Sequence, residues 1–187
     1  FDIAHNMFEG SWPPKTLPCR MFLSVVHIAR NRLQGSCAWD VFAAGEGSPY
    51  LYDVQIFANR FDSTFSGEGL RLLPALENLR LQNLGLQGSL PKELLLLPKL
   101  RWLDLSKNSL AGKLPSVPIS ITGHVAMQDV VEILLDANHV QGPIPTSWFE
   151  KLKLKTLHLG ETLLQGSLPS LGITDNLCAL MLTALQM

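Results

Sequence analysis

Cysteine is scarce in this chain. Three occur in 187 residues, Cys19, Cys37 and Cys178, and none belongs to a CxxC pair. That excludes a zinc ribbon and a densely stapled scaffold. A single Cys19–Cys37 bridge stays open, but no motif calls for it. Charge is sparse as well, at 17% of residues with a net charge of −1. Without a surplus of Lys and Arg to displace counterions from phosphates, nucleic acid is excluded as a general partner. No run of about 18 uncharged apolar residues exists, so no direct insertion into a membrane is expected. There is no Asn-x-Ser/Thr acceptor, although exposed secreted surfaces often carry one. Residues 1–6 have neither a basic head nor an apolar run, and the first is not Met. The expectation is a segment of a longer chain rather than one opening on a signal peptide.

Catalytic signatures are missing too. No nucleophile elbow, phosphate-binding loop or dinucleotide fingerprint is present. The five histidines, His5, His27, His124, His139 and His158, are scattered, and no pair has metal-ligand spacing. No catalytic residue, metal or cofactor is therefore expected.

What the chain has in excess is leucine, 36 of its residues. Such a bias points to a repeat. Residues 100–115 read LRWLDLSKNSLAGKLP. With Leu100 as position one, apolar residues fall at positions one, four, six, eleven and fifteen. Asn stands at nine, Gly at thirteen and Pro at sixteen. The frame recurs as FDIAHNMFEGSWP from Phe1, LSVVHIARNRLQGSCA from Leu23, LYDVQIFANRFDSTFS from Leu51 and LENLRLQNLGLQGSLP from Leu76. It continues as VVEILLDANHVQGPIP from Val130 and LKLKTLHLGETLLQGSLP from Leu152, whose position one is Leu154. A partial copy begins at Leu177.

The pattern resembles the plant-type leucine-rich repeat, LxxLxLxxNxLxGxIP, over essentially the whole chain. Relatives of this type include ectodomains of receptor-like kinases and receptor-like proteins, and polygalacturonase-inhibiting proteins. The resemblance implies an α/β-type solenoid. Its parallel sheet would line the concave face, with loops, short 3-10 turns and minor strands on the convex face. Residues 1–187 are read as one solenoid segment of about seven to eight repeats, the first and last incomplete.

Elementary geometry accounts for the pattern. Positions four and six are two apart and point to one side of a strand. Parallel strands stack about 4.8 Å apart, so eight of them would span roughly 35 Å. A lone repeat cannot bury its apolar face, so neighbours must stack. The position-nine amide can satisfy backbone groups left unpaired where the chain leaves the strand. Asn6, Asn31, Asn59, Asn108 and Asn138 should form that ladder. Leu84, Thr162 and Leu185 interrupt it, and Ser63 and Ser66 replace Gly and Pro in the third repeat. Residues 39–50 and 116–129 are longer than the norm and should bulge on the convex side.

The resemblance places ligands on the concave face, reached by positions three, five, seven and eight. Phe57, Arg80, Gln82, Trp102, Asp104 and Lys107 are the candidates there. Phe57 and Trp102 are rings expected to be exposed, and Arg and Trp are favoured interface anchors. Arg80 and Asp104 should face each other across adjacent strands and attract modestly. Gln34, Gln87, Gln141 and Gln165 share position twelve and should supply local hydrogen bonds. The functional expectation is a non-catalytic module, part of a receptor-like or adhesive protein at the cell surface or outside the cell, that binds a protein or peptide. The alternative is a scaffold segment of a filament, matrix or intracellular or organellar assembly, with neighbouring subunits covering the open repeat ends.

Overall fold

The computed structural model describes residues 1–12, 22–35, 48–61, 64–117, 129–168 and 179–181. The three cysteines, His124, Ser63, Leu185 and most of the two long inter-repeat segments lie outside the described residues.

Strands are numbered in chain order. β2 (Val25–His27), β4 (Asp53–Gln55), β6 (Asn78–Arg80), β8 (Trp102–Asp104), β10 (Glu132–Leu134), β12 (Thr156–His158) and β14 (Ala179–Met181) form one parallel sheet in that order. Each covers positions three to five of its repeat. The register is strict, with Val26, Val54, Leu79, Leu103, Ile133, Leu157 and Leu180 in one row. The first repeat joins through a parallel bridge between Asp2 and His27. The remaining strands are β1 (Glu9–Ser11), β3 (Arg32–Gly35), β5 (Arg60–Phe61), β7 (Gln87–Gly88), β9 (Ser109–Lys113), β11 (His139–Gly142) and β13 (Leu163–Leu164). They form a three-stranded sheet, β1-β3-β5, and a four-stranded one, β7-β9-β11-β13. Among the described residues a single bridge, Thr64 to Gln87, links the two.

The fold is the α/β-type leucine-rich-repeat solenoid. Its core lies between the sheets, where positions one, four, six and eleven converge. Leu76, Leu79, Leu81, Leu86, Leu100, Leu105 and Leu110 are all fully buried. Burying such a side chain stabilises the fold by about 1.5–3 kcal/mol, which is why leucine dominates the composition. Position sixteen is extended as proline dictates, with Pro91 at φ −71° and Pro145 at φ −63°. Short 3-10 turns follow at Glu68–Leu72 and Lys92–Leu96, and a six-residue helix, α1, at Thr146–Lys151. α1 docks through Ser147, Trp148 and Phe149, all buried.

The ladder has defined bonds. Each buried Asn donates to the position-six carbonyls of its own and the preceding repeat, and accepts from the preceding repeat's position-eleven N–H. Asn31 donates to Ile3 O and Ile28 O, and accepts from Phe8 N. Asn59 and Asn138 repeat that pattern. Asn6 is exposed and bonds only within its own turn. At Leu84 the ladder stops, and Phe61 is offered no side-chain acceptor there. At Thr162 the hydroxyl keeps one bond, donating to Leu159 O at 2.8 Å.

Position eight carries a second regularity that the pattern did not announce. His5, Arg30, Ala58, Asn83, Lys107, Ala137 and Glu161 all have φ between 52° and 59°. This left-handed region is uncommon for residues with a Cβ. Six of these N–H groups donate to the position-seven carbonyl of the next repeat, from His5 to Ala29 O through Ala137 to Gly160 O. That chain of inter-repeat bonds holds the turn.

Gly35 tests the position-thirteen turn. Its φ is +116°, and a Cβ there would lie 2.9 Å from Trp12 O. Gly10 has φ +114° and open space around a Cβ. Gly35→Ala is expected to lower stability by about 2–3 kcal/mol and Gly10→Ala by about 1 kcal/mol. Urea midpoints of the two variants separate collision from backbone strain; equal losses would rule out the collision.

Candidate binding surface

The concave sheet displays rows of side chains across the repeats. Position three runs Val25, Asp53, Asn78, Trp102, Glu132, Thr156. Position five runs His27, Gln55, Arg80, Asp104, Leu134, His158. Backbone pairing fixes their order, because each residue stands in register with its equivalents on both sides.

The two rings are half-buried rather than exposed, which corrects the sequence expectation. The guanidinium of Arg101 lies over the Trp102 ring, 4.8 Å from its centre. That of Arg30 lies over the Phe57 ring at 5.9 Å. The negative face of an aromatic ring attracts a cation at such distances, and the contact covers part of the ring. Arg101, at position two, is not evident from the repeat frame, whereas Arg30 stands at position eight, which the frame turns to the concave face.

Arg80 and Asp104 are direct register partners, yet no ion pair joins them among the described residues. Asp104 Oδ1 instead accepts from Ser106 N at 3.0 Å and Ser106 Oγ at 2.7 Å. A local two-residue contact costs less side-chain entropy than holding a long arginine in one geometry. Arg80 remains exposed. Lys107 is exposed at the left-handed turn, its backbone N–H bonded to Asp136 O at 2.8 Å. Gln82 is half-buried, and its Oε1, like Asn78 Oδ1, is buried without a hydrogen-bond partner. Position five therefore carries an unneutralised guanidinium with two unsatisfied amide oxygens on its own repeat.

A network the sequence reading missed lies nearer the first repeat. His27 Nε2 meets Asp53 Oδ2 at 2.9 Å, and His27 Nδ1 lies 3.5 Å from Asp2 Oδ2. Asp53 also accepts from Asn78 Nδ2 at 2.8 Å and Gln55 Nε2 at 3.2 Å. The Ala4 N–H donated to Asp2 holds that carboxyl below the ordinary carboxylate range, with His27 adding to the effect. Asp53 and Asn78 both stand at position three, so reading that row together would have found the cluster. Farther along, His158 Nδ1 lies 3.6 Å from Asp136 Oδ2. Among the described residues no three His, Cys, Asp or Glu side chains converge in a geometry that holds a metal.

Comparison with known proteins agrees with this architecture. The Leucine Rich Repeat family model matches residues 99–120. Receptor-like protein 13 of Arabidopsis thaliana is 29% identical over 114 residues, which is 61% of this chain and 10% of that protein. The Arabidopsis receptor kinase HAESA, solved with the peptide hormone IDA and the co-receptor SERK1, superimposes with a TM-score of 0.79 at 24% identity, over 98% of this chain and 29% of that one. PEPR1, solved with AtPEP1, gives 0.79 at 26% identity, over 96% of this chain and 24% of that one. The fold is thus the one leucine-rich-repeat proteins share, and the chain is similar to plant receptor ectodomains. It spans about a tenth of the curated relative it matches.

Proposed function

We propose that the chain is a non-catalytic recognition module of a larger receptor-like or adhesive protein, at the cell surface or outside the cell. It binds a protein or peptide on its concave face through Phe57, Arg80, Gln82, Trp102, Asp104 and Lys107. The observation that carries this reading is the middle of the sheet. Exposed Arg80 stands beside half-buried Trp102 and unsatisfied polar atoms, on strands held rigidly in register. A preorganised surface of this kind loses little entropy on binding, and Trp and Arg are frequent hot spots. HAESA, similar in fold, was solved with a peptide hormone, which supports a peptide as the ligand class.

The test uses peptides selected from a displayed library against the wild-type chain. Trp102→Ala and Arg80→Ala should each weaken the selected peptides by about tenfold or more, with circular dichroism unchanged. Unchanged affinity in both variants would remove the middle-repeat patch from the binding surface.

A further inference from the structure

The N-terminal rim of the main sheet adjoins the middle of the concave face, with Arg101 lying over the Trp102 ring. Where the chain enters β6, β8, β10 and β12, an open cleft of about 550 Å³ is lined by Glu77, Lys99, Arg101, Asp129, Lys153 and Lys155. The backbone here is already committed between repeats. Arg101 N donates to Glu77 O, Val131 N to Arg101 O and Lys155 N to Val131 O, at 2.8–2.9 Å. Lys99, Arg101, Lys153 and Lys155 are exposed, and none is in an ion pair among the described residues. Elsewhere on the surface Arg32 pairs with Glu9 and Arg71 with Glu93.

The arrangement has a period. Lysine or arginine occupies both the residue before position one and position two, in two repeats, with the repeat of Asp129 between them. Along the stacking direction the order is acid, two cations, acid, two cations. Strands β8 and β12 are two steps apart in the sheet, so the cation pairs are separated by about 10 Å. A polyproline-II peptide rises about 3.1 Å per residue with about three residues per turn, so residues three apart lie on one face at nearly that distance.

We propose that this rim binds an acidic peptide segment lying along the stacking direction, with two acidic residues three apart. A residue between them is turned off that face, so it carries a long donor or cation such as Lys that reaches Asp129. A uniformly charged polyanion is disfavoured, because it sets like charges against Asp129 and Glu77. The inference rests on the reading of the sheet as a peptide-binding surface and adds the chemistry of its partner.

The probe is a fluorescein-labelled Gly-Ser-Glu-Gly-Lys-Glu-Ser-Gly peptide at low salt, followed by anisotropy. Its control carries Gln in place of both Glu residues. Wild type should bind the acidic probe and not the control, and added salt should weaken the complex. The double variant Lys99→Glu/Lys155→Glu should lose about tenfold or more in affinity. Both positions are exposed, and an unchanged thermal transition establishes that the variant is folded. If binding survives the double reversal but is lost in Trp102→Ala, the rim assignment fails while the concave-face reading stands. If wild type ignores the probe, the acidic partner is overturned, and the library-selected peptides decide the broader reading separately. Tighter binding of a linear uronic-acid oligosaccharide, abolished by the same reversal, would overturn the peptide assignment.

Discussion

Asn108→Ala is expected to lower the stability of the chain by about 4 kcal/mol. The Asn108 amide donates to Leu81 O and Leu105 O, both at 2.9 Å, and its Oδ1 accepts from Leu84 N at 3.0 Å and Leu86 N at 3.1 Å. The side chain is buried. Alanine leaves Leu81 O and two N–H groups without that partner and beyond easy reach of water, while Leu105 O keeps the bond from Asn138. Each buried orphan costs about 1–3 kcal/mol, and local relaxation recovers part of the sum. Asn108 also stands next to the gap at Leu84, so it accepts two N–H groups where Asn31, Asn59 and Asn138 each accept one. Asn6→Ala is the control. Its amide bonds to Ile3 O and Ala4 O on an exposed turn, where water substitutes, and the loss should stay below about 1 kcal/mol. Urea unfolding of the two variants makes the comparison. Similar losses in both would mean that the ladder amides are ornaments of the turn rather than its support.

The second large effect is expected at Trp148, the bulkiest of the fully buried side chains among the described residues. It anchors α1 to the end of the preceding repeat. Its Nε1 donates to Pro115 O at 2.9 Å, and beside it Val117 N donates to Ser147 Oγ at 3.0 Å. Trp148→Ala should cost about 3–5 kcal/mol through lost apolar burial and the cavity left behind. Trp148→Phe keeps most of the packing but orphans the carbonyl, and should cost about 1–2 kcal/mol. Contacts in a solenoid reach only to neighbouring repeats. Hydrogen exchange in Trp148→Ala should therefore accelerate most around residues 109–117 and 139–159 and least around residues 25–35. Uniform acceleration along the chain would contradict that local picture.

The core was readable because spacing alone decides it. Val54, Leu79, Leu103 and Ile133 are apolar at position four and interior in the sheet. The ladder was readable because one amide at one position meets a fixed backbone need. Side chains that choose among partners were not. Asp104 takes Ser106, two residues away, over Arg80 on the neighbouring strand. Arg101 and Arg30 lie over rings that the frame left open to solvent. The rim cations escaped notice because they flank position one, whose conspicuous leucine is the part of the motif that the eye follows. Spacing fixes where a Cβ emerges, but not where a flexible chain four or five atoms long will settle.

The left-handed turn at position eight bears on how such a surface can change. Histidine, arginine, alanine, asparagine, lysine and glutamate all adopt it, and from His5 to Ala137 the bond from each turn to the next repeat is made by backbone alone. The shape there does not depend on what the letter is. A column of this kind works like movable type: the frame stays set while single characters are exchanged, each presented at the same angle to whatever reads the line. New specificities can then arise one substitution at a time without the scaffold being redrawn.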